Sequence, residues 1–254
     1  MLNTQLHGTA TSEPPLVIVH GLFGSARNWG VIARRLSQDR LVIAVDQRNH
    51  GDSHWDPAHS YADMAADLAH VIAEHGGQAD VLGHSMGGKA AMQLALTDGT
   101  CVRRLTVADI APVAYGHSQN HLVRAMKELD LSGLDLRSEA DRRLSATVAD
   151  PGVRAFLLQS LDLKSDPPRW KLNLDVLQDE MDGITGWPDT PGVFDGPALF
   201  VAGAQSDYIL SEYHPAILAQ FPAARFSTIE GAGHWLHAER PREFEAVVRD
   251  FITA

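Results

Sequence analysis

The sequence is short of several things. Cysteine occurs once, at Cys101, so no disulfide can form within the chain and nothing in it calls for an oxidising compartment. Positive charge is scarce: 21 Lys and Arg stand against 32 Asp and Glu. The resulting net charge of -11 argues against nucleic-acid or anionic-membrane partners, which need a basic face. The basic clusters at Arg34-Arg35 and Arg142-Arg143 have no interleaved aromatics and read as solvated helix faces. No run approaches the roughly 18 apolar residues of a membrane span. The N-terminal stretch MLNTQLHGTATSEPP lacks a basic start followed by an apolar run, so no secretory signal is expected and the expected location is the cytoplasm. Repeats at solenoid periods and low-complexity tracts are missing too.

What remains is the composition of an ordinary globular protein, 254 residues with 44% hydrophobic and 21% charged, enough for one large domain or two small ones. Short apolar runs alternate with amphipathic segments. PLVIVHG, RLVIAVDQ, ADVLG and RRLTVADIAP read as strands, and SARNWGVIARRLSQ, YADMAADLAHVIAEHG and GGKAAMQLALTDG as the helices between them. Continuously apolar strands separated by helices predict a mostly parallel sheet with helices on both faces. From 113 to 195 the pattern turns helical with no clear strand, and the sheet pattern then resumes with GPALFVAGAQSD and ARFSTIEGAGH. This predicts an α/β core, 1–112 and 196–254, interrupted by a helical insertion at 113–195. In such sheets, ligand sites form at the carboxyl ends of strands.

The stretch DVLGHSMGGKAAM has two readings. Gly83, Gly88 and Lys89 match most of a phosphate-cradling loop, but the following position holds Ala90 where a magnesium-ligating Ser or Thr is required. Gly83-His84-Ser85-Met86-Gly87 also matches the Gly-x-Ser-x-Gly turn that presents a nucleophilic serine between a strand and a helix. Small residues are needed at 83 and 87 because neighbouring backbones crowd that bend. The second reading also gives work to the other strand ends. The Met86 N–H is the natural first oxyanion donor, and Leu22, in the HGLFG turn after the first apolar strand, is the expected second, with Phe23 the alternative.

A serine hydroxyl needs a base. Of thirteen histidines, His234 follows the last strand and precedes the final helix, which puts it at the correct edge of the sheet; His237, three residues on, is the weaker candidate. His84 is expected to pack under the turn and His20 to hydrogen-bond within the oxyanion loop. His50, His54 and His59 have the spacing of no recognised zinc motif and read as a solvated loop. Two carboxylates compete to orient the base: Asp207, ending the strand before the histidine, and Asp109, ending the strand after the nucleophile. Position alone leaves both open.

Taken together, HGLFGSARNWG, VDQRNHGDS, GHSMGGKA, DIAPVAY and GAGHWLHAERP resemble the small bacterial esterase and thioesterase branch of the α/β-hydrolase superfamily, from about Pro15 to the C-terminus. The resemblance implies an eight-strand-type sheet under a helical cap and a cofactor-free, metal-free Ser-His-Asp mechanism on acyl esters or thioesters. It matches Ser85 to the nucleophile and His234 to the base. It inclines the acid towards Asp109 of DIAPV, although Asp207 is also present. Asp46, Arg48, Gly51 and Ser53 would brace loops beside the site. Trp170 and Leu172 would either line an acyl pocket or simply pack the cap. The expected partner is a small-molecule ester or thioester, bound by a monomer or homodimer. Rival expectations are a carbon–carbon bond hydrolase or perhydrolase with the same triad, and a hydrolase-derived binding protein. A dehalogenase would need an aspartate at Ser85.

Overall fold

The computed structural model describes residues 1–254. Its strands, in chain order, are β1 (Asn3–His7), β2 (Leu16–Val19), β3 (Val42–Asp46), β4 (Ala79–His84) and β5 (Val102–Ala108). A long excursion follows, holding the short strands β6 (Leu161–Asp162) and β7 (Arg169–Trp170), and the main sheet resumes with β8 (Ala198–Gly203) and β9 (Ala224–Ile229). Seven strands form one sheet in the order β1-β3-β2-β4-β5-β8-β9, one fewer than the resemblance implies. All are parallel except β1, which runs antiparallel to β3.

Every residue of β2, β3, β4 and β8 is buried, as a sheet covered on both faces demands. The helices α1 (Gly30–Leu36), α2 (Tyr61–Glu74) and α3 (Met86–Thr97) follow successive parallel strands. Five more lie in the excursion: α4 (Asn120–Glu128), α5 (Arg137–Leu144), α6 (Pro151–Leu157), α7 (Leu174–Asp179) and α8 (Met181–Thr185). The chain closes with α9 (His214–Gln220), α10 (Leu236–Glu239) and α11 (Pro241–Thr253). The two-residue side-chain period of the strands splits the core. Val17, Val19, Ile43, Val45 and Val81 pack with α2 and α3, whereas Leu16, Ile18, Val42, Ala44 and Leu82 pack with α1 and α11.

Helix α2 shows how sequence sets an element's limits. Ser60 caps its start, accepting the Asp63 N–H (3.2 Å) while Asp63 accepts the Ser60 N–H (3.1 Å), a reciprocal box worth about 1 kcal/mol. Tyr61, Met64, Ala65, Leu68, Val71 and Ile72 form its buried stripe. Gly76, at φ +104°, turns the chain out, and the Gly77 N–H returns to the Ile72 carbonyl (2.9 Å).

Two features depart from the sequence expectation. Strand β1 reads NTQLH, with no apolar alternation and Leu6 56% exposed; it is held by main-chain pairing to β3 and by polar bonds of Asn3 to Asp46 and Ser53 (both 2.8 Å), so no hydrophobic pattern announces it. The excursion also contains strand structure, the β6–β7 ribbon pairing Leu161 with Trp170 and Asp162 with Arg169. Two residues per strand are too few to show a period. No helix is long and apolar enough to cross a membrane.

The opposite edge of the sheet from the strand carboxyl ends carries a buried charge cluster. Asp80, at the start of β4, accepts from Arg40 Nη1 (2.7 Å) and Arg103 Nη2 (2.5 Å), with the Asp80 and Arg40 side chains 1% and 2% exposed. Removing the carboxylate strands a guanidinium away from water, a loss of about 3–5 kcal/mol. Asp80→Asn should therefore lower the unfolding free energy by about that amount in urea titrations.

Candidate active site

At its carboxyl end β4 runs straight into α3 through Ser85, which stands at φ +53°, ψ -122°. A non-glycine residue held there costs on the order of 1–3 kcal/mol. The surroundings enforce it. The Ser85 N–H is donated to the Ala108 carbonyl (3.0 Å), and its carbonyl accepts the Lys89 N–H (3.1 Å). A Cβ on Gly83 would lie 2.2 Å from the Gly87 carbonyl oxygen, and one on Gly87 would lie 2.4 Å from those of Val19 and His20. Glycine at both positions is therefore a steric requirement.

The loop after β9 delivers His234 to this serine, with Nε2 3.1 Å from Ser85 Oγ. That loop is pinned although it carries glycines at 231 and 233. The Gly233 N–H is donated to Glu239 (2.7 Å), the Gln205 N–H to the Ala232 carbonyl (2.9 Å), and His84 Nε2–H to the His234 carbonyl (2.8 Å). On the other side of the ring, Nδ1–H is donated to Asp109 Oδ2 at 2.7 Å. Asp109 ends β5 at φ +52° and is fully buried. Its Oδ1 accepts the Gly203 N–H (3.0 Å) and its Oδ2 also accepts the Ser206 hydroxyl (2.5 Å). Asp207, the competing candidate, is exposed one residue further on, and the carboxylate on His234 is that of Asp109.

Ser206 was not singled out from the sequence. Its signal was its neighbourhood: the loop after β8 reaches the same point, and the residue beside the candidate Asp207 supplies a donor to the carboxylate that His234 meets. Tyr208 was missed as well. Its ring stacks on that of His234, with centroids 4.1 Å apart and planes inclined by 24°. The Tyr115 hydroxyl fixes the Tyr208 main chain by donating to its carbonyl (2.7 Å).

The turn after β2 closes through the Gly24 N–H to the Gly21 carbonyl (3.0 Å), with Phe23 at φ +65°. A Cβ on Gly21 would lie 3.1 Å from Ser85 Cβ, so the turn is packed directly against the nucleophile candidate. The Phe23 N–H is already donated to His50 Nε2 (3.2 Å). Leu22 has no such partner, and Met86 is the first residue of α3, where an N–H has no intrahelical acceptor. These are the two free donors beside Ser85.

Four other histidines, His20, His50, His59 and His237, are buried around this site. His20 Nδ1–H is donated to the Gly21 carbonyl (2.8 Å) while Nε2 accepts the Gln47 N–H (3.0 Å). His50 Nδ1–H is donated to the Arg48 carbonyl (3.0 Å), leaving Nε2 to hold Phe23. Burial lowers the pKa of both, and pushes that of His59 to about 4. His50 and His59 are thus buried, and the solvated-loop expectation is corrected for them: the loop folds inward behind the oxyanion turn. His237 is buried and stacked on Trp29 at 4.0 Å, and burial lowers its pKa to about 3. It stays neutral and is not the residue bonded to Ser85.

The bracing group is arranged around Asp46. Its carboxylate accepts N–H groups of Ala26 (2.7 Å) and Asp52 (2.9 Å), and a Cβ on Gly51 would lie 2.3 Å from Asp46 Cγ. The Ser53 hydroxyl is donated to the Asp46 carbonyl (2.5 Å), and Arg48 Nε to Asp67 (2.6 Å).

Ser85 and His234 open into a cavity of about 270 Å³. The excursion supplies part of its wall, through Tyr115, Leu122, Val153, Phe156 and Ile184. Trp170 and Leu172 do not reach it. Trp170 donates Nε1–H to the Met126 carbonyl (2.9 Å) and Leu172 bridges to His50, so both pack the excursion onto the core.

Comparison with known proteins agrees with this architecture. The Alpha/beta hydrolase family profile matches residues 16–247. The chain is 41% identical to Esterase YbfF of Escherichia coli (strain K12) over 244 residues, 95% of this chain and 94% of that one. It is 40% identical to the sn-1-specific diacylglycerol lipase ABHD11 of Mus musculus over 256 residues, 97% of this chain and 83% of that one. A solved structure described as a marine microorganism esterase superimposes with a TM-score of 0.93 at 38% identity, covering 98% of both chains. With most of its length matched by the profile and by relatives of this similarity, the chain belongs to the alpha/beta hydrolase family.

Proposed function

We propose that this protein hydrolyses carboxylic esters, and acyl thioesters by the same chemistry, with Ser85 as nucleophile, His234 as base and Asp109 as the acid. The observation that carries the reading is the unbroken relay from Ser85 Oγ through His234 (3.1 Å) to Asp109 (2.7 Å) at the mouth of an apolar cavity. Esterase and lipase names among the relatives support it. The division of labour is between a core, 1–112 and 196–254, that holds these groups, and a cap, 113–195, that walls the cavity.

Ser85 Oγ attacks the acyl carbonyl as its proton passes to His234 Nε2, and the oxyanion is received by the Leu22 and Met86 N–H groups. The positive end of α3 adds to that stabilisation. His234 then gives the proton to the departing alkoxide or thiolate, leaving an acyl-Ser85. A water molecule loses its proton to His234 Nε2 and attacks the acyl carbonyl; the bond to Ser85 Oγ then breaks, Oγ takes the proton back from His234, and the acid is released. Asp109 remains ionised throughout, holding Nδ1–H in place and stabilising the imidazolium. The flat face of Tyr208 over His234 favours the same charged state.

Measured on a p-nitrophenyl ester, Ser85→Ala should lower kcat by at least about 10⁴-fold while leaving the far-ultraviolet circular dichroism unchanged. Retained turnover would remove Ser85 from the mechanism. Asp109→Asn should lower kcat by about 10³–10⁴-fold, and Asp207→Asn by less than about twofold; the reverse ranking would reassign the acid. Ser206→Ala removes one of three donors to Asp109, and kcat should fall about tenfold at unchanged KM.

A further inference from the structure

The reaction above leaves one buried cation without a role. Lys89 lies one turn after Ser85 on α3, so its side chain leaves the helix on the nucleophile's face. The residue is 1% exposed, and it lines the same cavity. Its ammonium is held by dipoles in place of a carboxylate. Two N–H groups go to the carbonyls of Thr185 (3.0 Å) and Gly186, at the C-terminal end of α8, and the Tyr115 ring centroid is 4.8 Å from Nζ. An ammonium has three donors, and the third meets no protein acceptor.

The composition of the wall sharpens this. No Asp, Glu or Arg lines the cavity, so, histidines apart, Lys89 is its one cationic head. A cation withdrawn from water without a counter-ion is penalised by several kcal/mol. Burial accordingly lowers its pKa to about 7. If Lys89 only strapped α3 to α8, a neutral donor or an apolar side chain would do so without that penalty. A ligand bringing its own negative charge removes the penalty and takes up the free donor.

We propose that Lys89 is an anchor for a carboxylate carried by the substrate, so that the preferred esters are anionic ones: half-esters of short dicarboxylic acids or esters of carboxylated alcohols. The proposal rests on the ester-hydrolase reading and specifies its substrate class.

Two matched pairs test it. Mono-p-nitrophenyl glutarate against p-nitrophenyl pentanoate places the charge on the acyl side; 4-carboxyphenyl butanoate against phenyl butanoate places it on the alcohol side. For the wild type, kcat/KM should favour the anion by about tenfold or more in one pair, the gain of one charge-assisted hydrogen bond. That pair identifies the side on which the carboxylate sits. Lys89→Met should bring the ratio to about one or below, and Lys89→Arg should keep it higher than Lys89→Met does. The proposal is overturned if the wild type prefers the neutral ester in both pairs. It is equally overturned if the ratio survives Lys89→Met, or if that change lowers both members of a pair alike, which is the signature of a strap. The wild-type ratios decide even if Lys89→Met does not fold. Absence of turnover on all four esters would instead fail the hydrolase reading. Glutarate binding followed by calorimetry then decides the anchor separately: binding to the wild type, weakened about tenfold or more by Lys89→Met or Lys89→Gln, supports it, and no binding overturns it.

Discussion

The site depends on a single close approach of main chain to main chain. The first turn of α3 sits so tightly on the end of β2 that a methyl group at Gly87 would meet two carbonyl oxygens at 2.4 Å. That contact forces the chain through φ +53° at Ser85, and it also lays the N-terminus of α3 against the turn that carries Leu22. Parallel strands do the rest. Because β2, β4, β5, β8 and β9 all point the same way, their carboxyl ends bring the Leu22 turn, Ser85, Asp109, Ser206 and the His234 loop to one edge. No long-range recognition between side chains is needed to gather them; the direction of the sheet gathers them.

Electrostatics then separates one histidine from the others. His20, His50, His84 and His237 are buried, and burial lowers the pKa of each, so all four are neutral at pH 7 and serve as fixed donors and acceptors. His234 instead meets a buried carboxylate, that of Asp109, and its own side chain is 25% exposed. This matters for the proposed base, which must become a cation during turnover. Positively charged neighbours would oppose that step, and neutral rings do not. The same neutrality keeps His50 Nε2 as an acceptor, which occupies the Phe23 N–H and leaves Leu22 for the proposed oxyanion role.

Much of this arrangement was legible in the amino-acid order, for a physical reason. Strands buried on both faces must be continuously apolar, and the positions ending them are then easy to find; Ser85 directly follows such a strand, His234 lies in the loop after the edge strand β9, and the two meet. What was hidden depends on contacts no local pattern encodes. Asp109 and Asp207 both follow strands, and only the positive φ at Asp109 and the path of the β8 loop decide which carboxylate turns inward. Strand β1 has main-chain pairing and no buried stripe, so it left no hydrophobic trace. Trp170 and Leu172 could be read as pocket or as packing, because an aromatic or aliphatic residue has the same pattern in either place; their partners Met126 and His50 make them packing. The histidines of 50–59 read as a polar loop because the residues that bury them, Asn49 and Arg48 among them, are themselves polar.

Lys89 shows why those misreadings have one origin. In sequence it belongs to an incomplete phosphate-loop pattern, and in space it reaches away from any such loop to the end of α8. A charged residue is assigned from sequence by assuming that it stays solvated, since burial of a lone charge is unfavourable. Here the assumption fails because the excursion between β5 and β8 folds over α3 and presents carbonyl dipoles and a Tyr face where water would be. The groups proposed to perform the chemistry come from strand ends, whereas Tyr115, Leu122, Val153, Phe156 and Ile184 of the cavity wall come from the excursion. Selectivity can therefore change through that segment without disturbing the relay from Ser85 to Asp109. Lys89 is where the two meet: it is rooted in the nucleophile's own helix, and the excursion decides whether its charge faces water, protein or ligand.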